Sequence, residues 1–469
     1  MYMKKQIFNP YLPSYEYIPD GEPHIFGDRL YIFGSHDKFN GNDYCENDYV
    51  CWSAPIQDIS DWKYEGVIYK KEQHPYKIGR NILFAPDVAK GFDGRYYLYY
   101  SVADSSIISV AVCDSPCGKY EYYGDIKDAS GHIIGTDEEE YFQFDPGVLI
   151  DGDRIYLYSG YCPKKEQDQY GRLYVGAHVT ELEKDMLTIK TKPKIVLSRD
   201  MVCPEGAKYF EAPSVRKIKD LYYFVYSARL TGLHYCTSKY PDRDFVYRGL
   251  IHSTSDVGIN GHSADNPAYP IGNTHGGIEC IQGKYYIFNH RFSNNTSYCR
   301  QAVAEPIEID EHGNIMQVEA TSCGLNGGPL IGKGVYPAYI ACNLIDTNTY
   351  DSHEKRHEAA PFITQDGEDR ECEPGQYLAS MKDGCIAGYK YFQFDETHKI
   401  VVKVRGHASG ELKVCLMEIG EPITVIKIEI AEDEWMDLSA PFDVKKGKQA
   451  LFFEYEGEGK FDMLSFEIQ

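Results

Sequence analysis

Five segments of this chain repeat one design, and their spacing restricts the fold more than any other feature. Each places Gly or Asp ahead of an alternating run of Tyr, Ile, Leu and Phe. They are GDRLYIFGSHD (27–37), DGRYYLYYSV (93–102), GDRIYLYSGY (152–161), KDLYYFVYSA (219–228) and QGKYYIFNHR (282–291). With Tyr31, Tyr97, Tyr156, Tyr223 and Tyr286 as markers, the intervals are 66, 59, 67 and 63 residues. Alternation at period two predicts strands. The 41 Tyr and 21 Phe agree, because rings fit a pleated, half-buried surface. Asp93-Gly94, Asp151-Gly152 and Gly283-Lys284 suit hairpin turns. Each interval has room for about four short strands. A β-sandwich accepts short strands but does not by itself explain an interval near 60 repeated four times. A radial array of four-stranded sheets does, so residues 1–330 are expected to form a five-bladed β-propeller.

The pattern changes after residue 330. GLNGGPLIGKG (324–334) reads as a linker or wandering strand, and 351–376 as a charged loop. Alternation then returns in HKIVVKVRG, GELKVCLMEI, ITVIKIEIA, QALFFEYEG and FDMLSFEI. Residues 331–469 are therefore expected to form a second, jelly-roll-like β-sandwich domain. The predicted class is all-β.

The net charge of −23 argues against nucleic acid or an anionic membrane as partner. No stretch of about 18 apolar residues appears, so no spanning helix is expected. The amino terminus, MYMKKQIFNPYLPSYEY, has no apolar run after its lysines and does not read as a signal peptide. The 14 cysteines form no CxxC pair, which disfavours zinc and fits reduced thiols in the cytoplasm. Trp52 and Trp62 read as hydrophobic anchors of blade one's outer strands.

Ten to twelve residues before each marker tyrosine stands one titratable residue: Asp20, Asp87, Asp145, Glu211 and His275. An acid beside proline is commonly a turn residue, and any one of these alone would be read so. Five in register are harder to assign to turns, which accept Ser, Asn and Gly as readily. Equivalent positions of propeller blades converge on the axis, so four carboxylates and an imidazole should ring one end of the channel. Crowded carboxylates push each other's pKa values apart. One then stays protonated while another stays ionised, which is the pair needed to hydrolyse a glycosidic bond.

NPYLPSYEYIPDGEPHIF, LFAPDVAKGFDGRYYLYYS, FDPGVLIDGDRIYLYSG, FEAPSVRKIKDLYYFVYS and THGGIECIQGKYYIFNH resemble, in order, the motifs of glycoside hydrolase family 43. The resemblance covers about the first 300 residues. It implies a five-bladed propeller that hydrolyses glycosides with inversion, mainly β-xylosides, α-L-arabinofuranosides and arabinan. It implies Asp20 as general base, Glu211 as general acid, and Asp145 as the carboxylate that tunes and orients the acid. Asp87 falls in a motif near the substrate pocket. His275 matches a histidine near the axis that orders a water or holds a metal, often calcium. No cofactor is required for the chemistry, and calcium is considered for the channel or the sandwich. The sequence departs from the family at Gly21 after Asp20, at Phe84 where tryptophan is frequent, and at Ala212 where glycine is common. Glu22 becomes a rival base. Ser35-His36-Asp37 and His290-Arg291 end strands at what reads as the wrong end of the channel, with Arg291 a candidate for a sugar hydroxyl.

SMKDGCIAGYKYFQF, EDEWMDLSAPF and GKQALFFEYEGEGKFDMLSFEIQ resemble carbohydrate-binding module family 6, with Trp435 either a stacking ring or core. The expectation is a cytoplasmic, inverting, exo-acting β-xylosidase and/or α-L-arabinofuranosidase on small oligosaccharides, with oligomerisation left open. The rivals are another furanosidase, such as a β-galactofuranosidase, and a sugar-binding propeller without catalysis.

Overall fold

The computed structural model describes residues 5–76, 79–348 and 361–469. The five repeats fold into five antiparallel sheets. Blade one runs Glu22–Phe26, Arg29–Phe33, Tyr49–Pro55 and Lys63–Tyr69, hydrogen-bonded in chain order. Blades two to four repeat this, starting at Asp87–Lys90, Gly147–Asp151 and Glu211–Ile218. Blade five has three strands, Ile278–Ile281, Lys284–Ser293 and Thr296–Ile307. All five marker tyrosines lie in second strands. The chain is all-β, with a five-bladed propeller followed by a carboxy-terminal sheet domain.

The alternation in these strands reflects burial on two sides. Odd and even residues pack against different neighbouring blades. Leu98 and Tyr100 join Phe33 and Tyr49 of blade one, whereas Tyr97 and Tyr99 join Ile155 and Leu157 of blade three. Tyr156 and Tyr158 meet Tyr222 and Phe224, and Tyr223 and Val225 meet Ile287 of blade five. Large rings fill the wedge between twisted sheets, and each large apolar side chain so buried contributes about 1.5–3 kcal/mol.

Asn9 closes the ring. Its side chain donates to the Ala304 and Thr321 carbonyls and to Glu305, and accepts from the Ala304 amide. This holds the amino-terminal segment against the outer strand of blade five, where the three-stranded sheet would otherwise leave an open edge.

Leu330–Ile331 already pairs with Cys385–Phe394 of the second unit. The stretch expected as a charged loop contains a strand, Phe362–Gln365, and residues 351–360 lie outside the described residues. The expected sandwich is hydrogen-bonded throughout as one nine-stranded sheet. Three long strands, Lys399–Cys415, Thr424–Pro441 and Gly447–Ile468, make it continuous, the last pairing with Lys399–Cys415 along nearly its whole length and with three other strands. Gly406, Gly410, Gly457 and Gly459 lie inside the antiparallel ladder of Lys399–Cys415 and Gly447–Ile468, each with backbone of the partner strand so close that a Cβ would collide. Short alternating runs therefore merge into long strands that no turn signal separates. Trp435 lies over the Arg405 guanidinium, 4.3 Å from ring centroid to carbon, and Tyr377, edge-on to Trp435 with centroids 5.6 Å apart, meets the same cation at 4.5 Å.

The loop Asp366–Gly375 of this second unit reaches back to blade one. Asp369 accepts from the Phe39 amide at 2.7 Å and from Asn47 at 3.1 Å. Arg370 pairs with buried Glu16 at 2.5 Å and donates to His36 Nε2 at 2.9 Å.

Candidate active site

Asp20, Asp145 and His275 stand just before the innermost strands of blades one, three and five, and Asp87 and Glu211 begin those of blades two and four. The innermost strands of blades one to four touch in succession, and that of blade five touches blade one's, so their starts gather at one end of the axis. Asp20 (φ 59°) and Asp145 (φ 48°) adopt the left-handed conformation, which Asp tolerates better than most residues. Ala212 (φ 65°) shares it, which explains why glycine is favoured there. The turn aims the Ala212 amide at the Asp145 carboxylate.

Asp20, Asp145, Glu211 and His275 line a cavity of about 410 Å³. Phe84, Phe144, Tyr161 and Phe210 form one wall, each ring within 5.2–5.4 Å of the next. Such a surface suits the apolar face of a sugar. Tyr44, Tyr298 and an Asp43–Arg80 ion pair stand on the other side.

The three carboxylates differ in charge. Burial raises Glu211 well above the usual carboxylate range, and the charges of Asp145 and Asp20 raise it further. Burial also lifts Asp145 to about 7, with His275 opposing and Asp20 adding. Burial acts on Asp20 in the same direction but loses to the charges of Arg300 and His275, so Asp20 falls below its ordinary value. Arg300 Nη1 lies 3.2 Å from Asp20 Oδ1, and its other donors hold Asp37 at 2.8 and 2.9 Å. His290 Nδ1 accepts the Asp20 amide at 3.2 Å while Nε2 donates to the Asn273 carbonyl at 2.9 Å, which fixes a neutral tautomer. Burial agrees, depressing His290 to about 3. His275 lies between carboxylates, 3.7 Å from both Asp145 Oδ2 and Glu22 Oε1. Burial alone would lower it, but Glu22, Asp145 and Asp20 raise it to about 9.

Other expected residues are placed elsewhere. Asp87 lies deeper, fully buried, paired with His24 at 2.6 Å and accepting from the Val148 amide at 2.6 Å. It tethers blades one, two and three rather than lining the cavity. Glu22 accepts from Ser214 Oγ and pairs with Arg216 at 2.8 Å, beneath the cavity floor. Arg291 faces away, donating to the Ala341 and Tyr339 carbonyls and to Gln301. Side chains alternate along a strand, so with His290 turned to Asp20, Arg291 is turned to the second unit. The reading of 35–37 and 290 as lying at the wrong end is also corrected. First and second strands are antiparallel, with Glu22 opposite Phe33, so the end of the second strand returns beside the start of the first. Asp37 and His290 thereby reach Asp20's surroundings.

Arg300, Tyr161, Phe144 and Phe210 were not legible from the repeats alone. A signal existed for two: an aromatic immediately precedes the acid in QFD and in YFE, as Phe84 stands close before Asp87 in LFAPD. Arg300 is a lone charge inside the buried run YCRQAVA.

The sequence model of Glycosyl hydrolases family 43 matches residues 19–315. A xylosidase/arabinosidase of Thermoclostridium stercorarium is 47% identical over 99% of both chains. Among solved structures, a family 43 arabinoxylan arabinofuranohydrolase from Bacillus subtilis covers 98% of this chain at TM-score 0.52 and 18% identity, with 97% of its own chain matched. A family 43 β-xylosidase/α-arabinofuranosidase from a compost microbial metagenome covers 68% at TM-score 0.55 and 24% identity, with 99% of its chain matched. At those identities the structures speak to the fold. The sequence matches go further: the chain belongs to glycosyl hydrolase family 43 and is a glycoside hydrolase.

Proposed function

We propose that the enzyme is an inverting, exo-acting β-xylosidase and α-L-arabinofuranosidase on small oligosaccharides. The observation that carries this reading is one cavity holding a buried carboxylic acid, Glu211, opposite a buried carboxylate, Asp20, that Arg300 keeps ionised. Glu211 protonates the leaving oxygen, and Asp20 takes a proton from the attacking water. Asp145 raises Glu211 by its charge and, through the Ala212 turn, sets the acid's position. A cavity of about 410 Å³ suits a chain end better than a chain middle. The names of the relatives supply the sugars.

The test is hydrolysis of nitrophenyl β-D-xylopyranoside, α-L-arabinofuranoside and β-D-galactofuranoside, with Asp20→Ala alongside. Turnover of the first two, lost in the variant, is expected. Turnover of the galactofuranoside alone would replace the sugar. No turnover of any substrate by folded protein would favour a binding propeller.

Asp145→Asn is expected to move the basic limb of the pH–kcat/KM profile to lower pH. Asp145's negative charge disfavours ionised Glu211, so its removal lets Glu211 lose its proton earlier. A basic limb that stays in place would make Asp145 a scaffold residue.

Calcium in the channel belongs to the same proposal. Glu22 Oε1 and His275 Nε2 are both buried without a hydrogen-bond partner among the described residues, and they face each other at 3.7 Å. They fit a small cation as well as a proton on His275. A bound cation would supply fixed positive charge beneath Asp145. Glu22, His24 and Asp87 form the one carboxylate–imidazole cluster of metal-binding dimensions among the described residues, and it lies in the channel rather than in the carboxy-terminal sheet.

For the carboxy-terminal sheet we propose a buttressing role, supported by the Asp369 and Arg370 contacts, with sugar binding of the family 6 kind as a further reading. Arg405 covers one face of Trp435, which leaves at most the other for a ligand. A cytoplasmic setting is supported by fourteen cysteines, all free.

A further inference from the structure

A second cavity, of about 630 Å³, adjoins the first and shares Phe210 with it. Its lining carries four cations, Lys164, Arg199, Lys208 and Arg229, against two acids, Asp200 and Glu205. This excess stands out on a chain of net charge −23. None of the four cations has an ion-pair partner among the described residues. Arg199 donates to the Pro163 and Tyr174 carbonyls, and Lys208 to the Met201 carbonyl. Carbonyls satisfy these donors without neutralising the charge. Arg229 has no hydrogen bond among the described residues. It is exposed, and its guanidinium lies 5.9 Å from the centroid of Phe210.

The position relative to the acid fixes which part of a substrate arrives there. Phe210 immediately precedes Glu211 and lines both cavities, while Glu211 lines the first. Glu211 protonates the leaving oxygen, so the leaving group extends past Glu211 and Phe210. We propose that the second cavity is a leaving-group subsite for oligosaccharides that carry a uronic acid, with Arg229 meeting the carboxylate and Lys208 and Arg199 supplying the surrounding positive potential. This rests on the assignment of Glu211 as the acid. Arg suits the task because its planar fork binds a carboxylate through two donors.

The experiment compares kcat/KM on xylo-oligosaccharides of equal length, with and without a glucuronic acid branch, for the wild type, Arg229→Gln and Arg229→Lys. Losing a charge-assisted contact is expected to lower the acidic-to-neutral ratio about tenfold in Arg229→Gln. Arg229→Lys should restore part of it, and added salt should reduce the wild-type ratio. A ratio unchanged by Arg229→Gln would overturn the proposal. Calorimetry with the same two oligosaccharides on Glu211→Gln reads binding apart from turnover. If no glycoside is hydrolysed but Arg229 still sets the preference in binding, the subsite stands and the assigned activity falls. Binding blind to the carboxylate in both backgrounds removes the subsite.

Discussion

Glu211→Gln is expected to lower kcat/KM on xylo-oligosaccharides by about 10²–10⁴-fold, the range that general acid catalysis commonly contributes. Loss on a dinitrophenyl glycoside should be far smaller. That leaving group departs as a stable anion and needs no proton, whereas a sugar alkoxide does. The fold should be undisturbed, because burial favours the neutral form of Glu211 and glutamine copies the shape of the neutral acid. Parallel assays on the two leaving groups decide the matter. Equal loss on both would show that Glu211 does not donate the proton.

The second large effect is expected at Arg300, and it combines stability with acidity. This side chain is 2% exposed and holds both Asp37 and Asp20. Arg300→Met leaves those carboxylates buried without their cation. Breaking a buried pair in this way costs about 3–5 kcal/mol. The sign of the pH dependence follows from Asp20. Its folded pKa lies below its unfolded one, so it contributes stability above the unfolded value and loses it as pH falls through the folded value. Without Arg300 that contribution disappears, and Asp20 takes up a proton at higher pH. The variant should therefore melt at lower temperature than the wild type at pH 7, by the most where Asp20 is ionised. Any remaining activity should show its acidic limb moved upward. Thermal scans from pH 4 to pH 8 with the pH–rate profile test both, and an acidic limb that does not move would detach Arg300 from the base.

The propeller was legible because each second strand is buried on both faces. That burial forces Tyr97 and Tyr99 toward one blade and Leu98 and Tyr100 toward the other, which writes a regular pattern into the chain. The acids were legible because they occupy equivalent positions of successive blades. Arg300 was not, since it sits in a third strand and reaches Asp20 across a gap of 280 residues that no local pattern encodes. Arg291 was misread for a related reason: neighbours along a strand face opposite ways, so proximity to His290 in sequence carries no proximity in the site. The carboxy-terminal unit was legible as strands but not in their connection. Its long strands run on through glycines rather than ending at turns, and turn residues are what divide a sequence into elements.

The loop around Asp369 and Arg370 bears on how such enzymes are assembled. The propeller of the compost relative, matched along 99% of its own chain by 68% of this one, stands without a counterpart of the second unit. In this protein, blade one turns Glu16, a carboxylate that burial raises to about 7, toward Arg370 as its cation. Cutting the chain near residue 330 would strand that acid, open His36, and loosen the segment that leads from Tyr17 to Asp20. The two units are thus no longer interchangeable cassettes: exchanging the appended one for an unrelated module would require blade one to be rewritten as well.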